Sequence, residues 1–265
     1  MQHTYVLETE GLSKDFLGFA AVSDVNLRVR RGDIHALIGP NGAGKTTVFN
    51  LLTKFLPPTR GRIRFDGQDI THASSADLAT RGLVRSFQIS AVFGHLTVLR
   101  NVRLALQRRL APTYRFWQSG KTLASLDDQA MELLHLVDLA EFADLQAVDL
   151  PYGRKRSLEL ATTLAMDPKV MLLDEPTQGM GHEDVHKVTQ LIKRVSAKCT
   201  VLMVEHNMSV VSTICDRISV LQRGRILAEG TYAEVSANPT VLQAYMGTID
   251  EEFEAELRGA HHGTH

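Results

Sequence analysis

The sequence predicts an α/β fold whose parallel-sheet core carries an inserted helical segment. In the second half of the chain, short apolar runs alternate with helical stretches, the pattern of a parallel sheet with crossover helices. An earlier apolar run leads directly into a glycine-rich loop and then into a helix. Between about residues 86 and 160, apolar residues recur instead at helical spacing, which indicates a separate helical subdomain.

The N-terminal part is expected to form strands and one short helix. Val25, Leu27 and Val29 alternate with polar residues, which is the spacing of a half-buried strand. The Asp66-Gly67 pair between apolar segments predicts a hairpin. The other elements expected here are a buried strand at Ile34–Ile38, a helix at Thr46–Thr53 that ends near Pro57-Pro58, and hairpin strands at Ile63–Phe65 and up to Ile70.

The rest of the chain is divided by the same periodicity. Leu99, Val102 and Leu106 lie at helical spacing within the inserted segment. Strands are expected again at Val170–Leu173, Thr200–Val204 and Ile218–Leu221, with a helix at about Glu183–Ser196. We therefore expect a first core part at 1–85, a helical subdomain at 86–160, a second core part at 161–235, and a C-terminal helix with a loose tail at 236–265.

Composition narrows the class of protein. The 265 residues are 44% hydrophobic and 22% charged, which is ordinary for a globular protein with a sizeable core. A net charge of -1 argues against binding nucleic acid by bulk electrostatics, so no nucleic-acid partner is expected. No apolar run approaches the roughly 20 residues of a membrane-spanning helix. Cys199 and Cys215 lack disulfide or metal-site spacing and are expected to be reduced thiols in the cytoplasm.

A phosphate-binding loop follows the expected strand at Ile34–Ile38. Its residues satisfy G-x-x-x-x-G-K-[ST] at every fixed position: Gly39, Pro40, Asn41, Gly42, Ala43, Gly44, Lys45 and Thr46, followed by Thr47. Glycines let backbone N–H groups converge on phosphate oxygens, and the helix N-terminus adds a favourable dipole. Lys45 supplies a charge for the outer phosphates, and the Thr46 hydroxyl is a candidate Mg²⁺ ligand. The motif predicts ATP binding, although kinases, GTPases, helicases and transporters share it.

A pair of carboxylates marks a second site. Asp174 and Glu175 end the apolar strand at Val170–Leu173 and precede a proline. The carboxyl ends of strands in α/β sheets face the crevice that binds ligands. Asp174 is therefore expected to hold Mg²⁺ through water, and Glu175 to polarise an attacking water as general base.

With both motifs in place, the chain resembles the ATP-binding subunits of ABC transporters along nearly its whole length. The resemblance implies ATP and Mg²⁺ as cofactors. It also implies a RecA-like P-loop NTPase core with an antiparallel β subdomain and an inserted α-helical subdomain. Single residues fall in register with it: Phe16 matches the aromatic that stacks on adenine, Gln88 the glutamine that contacts Mg²⁺ and couples to the transmembrane partner, and His206 the histidine that bonds the γ-phosphate and the attacking water.

The sequence departs from the family pattern at two loops. The signature motif, usually Leu-Ser-Gly-Gly-Gln, reads Leu-Pro-Tyr-Gly-Arg here, with Tyr152, Gly153 and Arg154 as its last residues. In the family this loop caps the ATP of a second subunit, so Gly153 would keep a backbone donor while Arg154 supplies charge in place of the serine. Gly181 stands about where many members carry an aspartate. Both departures leave the strength of dimer closure and the rate of hydrolysis open.

The loop sequence Tyr-Gly is typical of the branched-chain amino acid group of importers, as is the C-terminal segment 238–247. The resemblance implies transmembrane permease subunits, a second ATP-binding subunit (itself or a paralogue) and, indirectly, a periplasmic solute-binding protein as partners. It places the chain peripherally on the cytoplasmic face of the inner membrane. The segment 81–121 carries eight basic and no acidic residues, which suits either this membrane-side surface or a solvated helix face. The transported solute stays open.

Two other functions are compatible with parts of the sequence. A soluble ABC-type ATPase outside transport is disfavoured because the chain has neither a tandem ATPase domain nor a long coiled-coil insertion. The segment from His182 through Glu183 to His186 satisfies H-E-x-x-H, the zinc-peptidase motif. Its position at a helix start after the acidic pair favours an ordinary solvated helix. His261, His262 and His265 are expected to lie in a loose polar tail whose role is open.

Overall fold

The computed structural model describes residues 4–86, 92–110 and 120–245. Within these ranges, no helix combines the length and apolarity needed to cross a membrane. The strands are β1 Tyr5–Phe16, β2 Phe19–Val25, β3 Arg28–Arg30, β4 Ile34–Ile38, β5 Arg60–Phe65, β6 Gln68–Asp69, β7 Leu83–Ser86, β8 Val170–Asp174, β9 Thr200–Val204, β10 Arg217–Gln222 and β11 Arg225–Gly230. The helices are α1 Lys45–Leu52, α2 Ser75–Arg81, α3 Val98–Leu110, α4 Gly120–Leu136, α5 Tyr152–Leu164, α6 His182–Ser196, α7 Met208–Ile214 and α8 Tyr232–Ser236.

The larger sheet has the strand order β11-β10-β4-β9-β8-β7. Every pair in it is parallel except β10 with β11. Strands β4, β8 and β9 are buried along their whole length, which explains why their sequences are continuous apolar runs rather than alternating ones. Because these strands are parallel, the loops after them meet at one edge of the sheet.

The smaller sheet is antiparallel and has the order β2-β1-β5-β6, with β3 paired to β1. Its inner face and α1 form one hydrophobic core with Leu37, Leu172 and Leu202 of the larger sheet. The alternate residues of the same strands, such as Ala36 and Met171, face a second core shared with the helices. The predicted α/β fold with a parallel core sheet and an antiparallel subdomain is confirmed.

The inserted segment is helical, as its periodicity predicts. Val98, Val102 and Leu106 of α3 are buried in the second core, together with Leu134 of α4. Helix α5 packs on both and continues past residue 160 into the main body. The division of the chain into subdomains at residues 85, 160 and 235 therefore stays a prediction.

The backbone is strained shortly after α1, at Lys54. Lys54 follows α1 with a φ of +61°, a left-handed conformation that suits glycine. Its Nζ is buried without a hydrogen-bond partner within the described part of the chain, and burial lowers its pKa to about 8. We expect Lys54→Gly to raise the free energy of unfolding by about 1 kcal/mol, because it removes the backbone strain and the buried amine.

Chemical denaturation measures this change. Thr53→Gly is the matched control, because Thr53 has a φ of -91° and its hydroxyl donates to the Phe49 carbonyl at 2.8 Å. The control should lose stability. A loss of stability in Lys54→Gly would contradict the strain at that residue.

A buried histidine in β4 makes stability depend on pH. His35 is fully buried, and its Nε2 lies 2.8 Å from the Ser219 hydroxyl. Burial, followed by the charge of Arg217, lowers its pKa from 6.5 to about 4. Between these two pH values, His35 is protonated in the unfolded chain and neutral in the folded chain. The free energy of unfolding therefore decreases as pH falls from about 6.5 towards 4.

We expect this loss to total about 3 kcal/mol. About 2 kcal/mol of this loss should fall between pH 7 and pH 5, and denaturation of the wild type and of His35→Asn at these two pH values measures that part. The difference between the two pH values should be smaller in the variant. Equal differences in both proteins would exclude His35 as the source.

Candidate functional site

The predicted site loops gather at the carboxyl edge of the larger sheet. The phosphate loop follows β4, the acidic pair ends β8, and His206 comes two residues after β9. Since β8 and β4 both lie beside β9, these loops are neighbours. This edge is where open α/β sheets bind their ligands.

The glycines of the phosphate loop are required by close backbone contacts. A Cβ on Gly39 would lie 2.1 Å from the Leu221 carbonyl oxygen. A Cβ on Gly44, whose φ is +103°, would lie 2.7 Å from the Ala21 carbonyl oxygen. Helix α1 begins directly after it at Lys45. The loop is therefore pressed between β10 and the antiparallel sheet, with the N-terminus of α1 at its end, as an anion site requires.

Lys45 lies inside this loop. Its side chain is almost fully buried, and Nζ donates to the carbonyl oxygens of Gly39 at 2.6 Å and Pro40 at 3.0 Å. Burial lowers its pKa, while the nearby Glu175 and Asp174 oppose that shift. The ammonium group is thus held in place by oxygens that phosphate oxygens can replace. Thr46 is exposed and Thr47 half-buried at the start of α1.

Asp174 is buried at the end of β8 and has a partner that the sequence reasoning missed. Its Oδ2 forms an ion pair with Nη2 of Arg85, which lies in the neighbouring strand β7. Nη1 of Arg85 also donates to Asn50 Oδ1 at 2.7 Å. The sequence signal for this pair was weak, because Arg85 is a single charged residue within the short strand β7.

Glu175 and His206 are brought into direct contact. Glu175 Oε1 meets His206 Nε2, and the Glu175 backbone has a φ of +48°, which is unusual for a residue other than glycine. Glu205, also missed from sequence, holds the next turn: its Oε1 accepts from the backbone N–H of His206 at 3.0 Å and Asn207 at 3.1 Å. Such strained, tightly held positions cluster at functional sites.

The predicted adenine contact lies on the neighbouring hairpin. Phe16 ends β1, is 41% exposed, and has Lys14 Nζ at 5.2 Å from its ring centre. The same hairpin places the Ala21 carbonyl against Gly44. The Phe16 ring therefore lies on the hairpin whose second strand contacts the phosphate loop. Gln88 lies outside the described residues.

The signature segment starts α5. Tyr152 is exposed, and its hydroxyl lies 3.4 Å from the Gln178 carbonyl oxygen. Gly153 packs so closely on α6 that an added Cβ would lie 3.1 Å from Asp184 Cγ. Arg154 points elsewhere: its Nη1 donates to the Asp138 carbonyl at 2.7 Å, and its guanidinium stacks 4.2 Å from the Phe142 ring centre. Arg154 would have to leave these contacts to reach a phosphate.

The H-E-x-x-H segment forms the exposed start of α6. His182 and His186 are exposed, and Glu183 pairs with Lys187 at 2.6 Å. Among the residues that the structure describes, no group of three or more His, Cys, Asp or Glu side chains can hold a metal ion. The exposed histidines and the Glu183–Lys187 ion pair are those of a solvated helix start. His261, His262 and His265 lie outside the described ranges.

Comparison with known proteins agrees with this geometry. Residues 22–178 match the family model "ABC transporter", and residues 225–251 match "Branched-chain amino acid ATP-binding cassette transporter". The high-affinity branched-chain amino acid transport ATP-binding protein BraF of Pseudomonas aeruginosa is 38% identical, over 91% of this chain and 98% of its own. Its counterpart LivG of Escherichia coli K12 is 37% identical over the same shares.

Solved structures give the same result. The ADP conformation of MJ1267, an ATP-binding cassette of an ABC transporter, superposes with a TM-score of 0.80 at 30% identity, covering 92% of this chain and 100% of that one. A nucleotide-free cassette gives a TM-score of 0.78 at 29% identity, covering 91% and 99%. The chain therefore belongs to the ABC transporter family, as an ATP-binding ATPase of the branched-chain amino acid transporter group.

Proposed function

We propose that this protein hydrolyses MgATP to drive the import of branched-chain or related amino acids. The observation that carries the proposal is the contact of Glu175 with His206 beside the loop that holds Lys45. The similarity to BraF and LivG, both high-affinity branched-chain amino acid transport ATP-binding proteins, supports the class of solute. In this proposal, the solute-binding partner selects which amino acid is carried.

The residues present suit Mg²⁺. Asp174 and Thr46 offer a carboxylate and a hydroxyl, the oxygen ligands that this cation prefers, and Gln88 would add an amide oxygen. When bound, Mg²⁺ neutralises charge on the β- and γ-phosphates. Lys45 would exchange its contacts with the Gly39 and Pro40 carbonyls for phosphate oxygens.

Glu175 and His206 would act on the attacking water. The Glu175 carboxylate would accept a proton from the water, and the His206 imidazole would orient the water and form a hydrogen bond to the γ-phosphate. Phe16 would stack on the adenine ring. These roles assign catalysis to Glu175, His206, Lys45 and Gln88.

The site is completed by a second ATP-binding subunit, either a second copy of this chain or a paralogue. The start of α5, with Tyr152, Gly153 and Arg154, would face the partner's nucleotide, where the free N–H groups of the helix N-terminus donate to phosphate. A dimeric structure of the cassette MJ0796 with ADP and Pi, 26% identical with a TM-score of 0.71, supports this arrangement. Arg154 supplies charge there only if it releases Asp138 and Phe142.

The permease subunits would dock on the helical side. A groove of about 550 Å³ lies between β7, α3 and α5, and Phe93 and Leu104 contribute exposed apolar surface to it. Docking there would hold the chain peripherally at the cytoplasmic face of the inner membrane, with a periplasmic solute-binding protein acting through the permease.

Affinity capture of the chain from membranes tests the proposal. Permease subunits should co-purify, and the complex should hydrolyse ATP in a Mg²⁺-dependent manner that rises with a branched-chain amino acid and its binding protein. Capture of ribosomes or nucleic acid without permeases would favour a soluble ABC-type ATPase instead.

A further inference from the structure

The docking groove is bordered by charged residues that reach the nucleotide site. Its walls are mostly apolar and include Val84, Phe93, Leu104 and Met166. Arg85 and Glu159 also line it, and both side chains are largely buried, with 12% and 7% exposure. Charges in such surroundings need close partners. The partners of these two residues connect the groove to Asp174 and Glu175.

Arg85 connects the groove to Asp174. One arm of the guanidinium, Nη2, pairs with Asp174 Oδ2, and the other, Nη1, donates to Asn50 on α1 at 2.7 Å. The rings of Phe49 and Phe55 lie 5.8 and 5.9 Å from its central carbon. The guanidinium is therefore fixed from several sides, and it fixes the Asp174 carboxylate in turn. A fork of this kind sets orientation as well as charge.

Glu159 gives the same groove a contact near Glu175. Its Oε2 pairs with Arg156 Nη1 at 2.5 Å, and Arg156 Nη2 lies 3.5 Å from the Glu175 carbonyl oxygen. The second contact is long and correspondingly weak. Both members of the acidic pair are thus supported by residues at or beside the groove, and Asp174 has the stronger support.

We propose that Arg85 is a positioning residue that orients Asp174 for the metal ion, and that the permease segment in the groove strengthens this support by packing on Arg85. The inference rests on the proposed function, since it takes Asp174 as the carboxylate that holds Mg²⁺ and the permease as the occupant of the groove. Partners of metal ligands act in this way, and their loss typically lowers metal affinity about 10- to 100-fold.

The variant Arg85→Lys tests the positioning. Lysine keeps the positive charge but cannot bridge Asn50 and Asp174 with two arms. Binding of a non-hydrolysable ATP analogue to the full chain is measured in EDTA and in Mg²⁺, and the ratio of the two affinities gives the gain from metal. We expect the gain to fall about 10-fold while the affinity in EDTA is unchanged. Arg103→Lys is the matched control, because Arg103 on α3 pairs with Asp127 on α4 at 3.0 Å, and it should leave both affinities unchanged.

Asn50→Ala provides a second variant that leaves the Arg85–Asp174 pair intact. It frees one arm of Arg85 and should lower the metal gain in the same direction by a smaller factor. A wild-type gain in both folded variants would overturn the positioning role. An equal loss of affinity in EDTA and in Mg²⁺ would overturn it too, because it would show general damage to the loop.

The link to the groove is tested in membranes that contain the permease subunits. The Mg²⁺ concentration for half-maximal analogue binding is compared between these membranes and the isolated chain. For the wild type it should be several-fold lower in the membranes, and for Arg85→Lys it should be the same in both. Equal shifts in the two proteins, or none in the wild type, would overturn the link. Failure of the proposed function looks different, since the wild type itself would then bind no analogue or no permease.

Discussion

Replacing the expected base, Glu175→Gln, should lower the rate of ATP hydrolysis by about 100- to 10,000-fold, the usual contribution of general acid–base catalysis. Glutamine keeps the shape of the side chain and its reach to His206 Nε2, but it cannot take a proton from water. The affinity for ATP should change little, because Lys45 and the phosphate loop provide the phosphate contacts. Binding and turnover therefore separate in this variant.

Single-turnover phosphate release and equilibrium ATP binding measure the two effects independently. Glu183→Gln is a suitable control, because Glu183 is an exposed carboxylate near the same segment whose contact is an ion pair with Lys187. Its hydrolysis rate should equal that of the wild type. If Glu175→Gln turned over at the wild-type rate, Glu175 would not be the base, and the contact with His206 would have only a structural role.

Local features of the site were predictable from sequence. The positions of Gly39, Gly44 and Lys45 are fixed within one loop, so spacing alone identifies them, and the helix expected at Thr46–Thr53 forms one residue earlier, at Lys45–Leu52. The strands β4, β8 and β9 were also predictable, because burial on both faces makes them continuous apolar runs. Their shared edge follows from parallel pairing.

Contacts between distant segments were not predictable. Arg85 and Asp174 are 89 residues apart and meet only because β7 lies beside β8. Sequence spacing carries no information about that order. For Arg154, sequence suggested a charge near phosphate, whereas the Phe142 ring and the Asp138 carbonyl offer a nearer partner. Lys54, similarly, is an ordinary lysine in sequence and becomes unusual only through its φ of +61°.

Removing the loop lysine, Lys45→Ala, should weaken ATP binding rather than slow a bound complex. The Lys45 ammonium is buried within the loop, so its bonds to phosphate form where water is largely excluded. Losing charged hydrogen bonds of this kind costs about 3 kcal/mol, which corresponds to an affinity roughly 100-fold lower. The change also removes the ammonium group that donates to the Gly39 and Pro40 carbonyls. The loop should therefore be less well ordered, which lowers the affinity further.

Calorimetric titration with ATP gives the affinity directly, and Lys187→Ala serves as the control because Lys187 lies on the exposed face of α6. That control should bind ATP as the wild type does. Full affinity in folded Lys45→Ala would mean that the loop is not the phosphate site. Because Lys45 acts on binding and Glu175 on turnover, the two variants together show whether one site carries both steps. We expect Lys45→Ala to lose ATP binding and Glu175→Gln to lose turnover while it still binds ATP. This combination is the one expected of a nucleotide that lies between the loop after β4 and the carboxylates after β8.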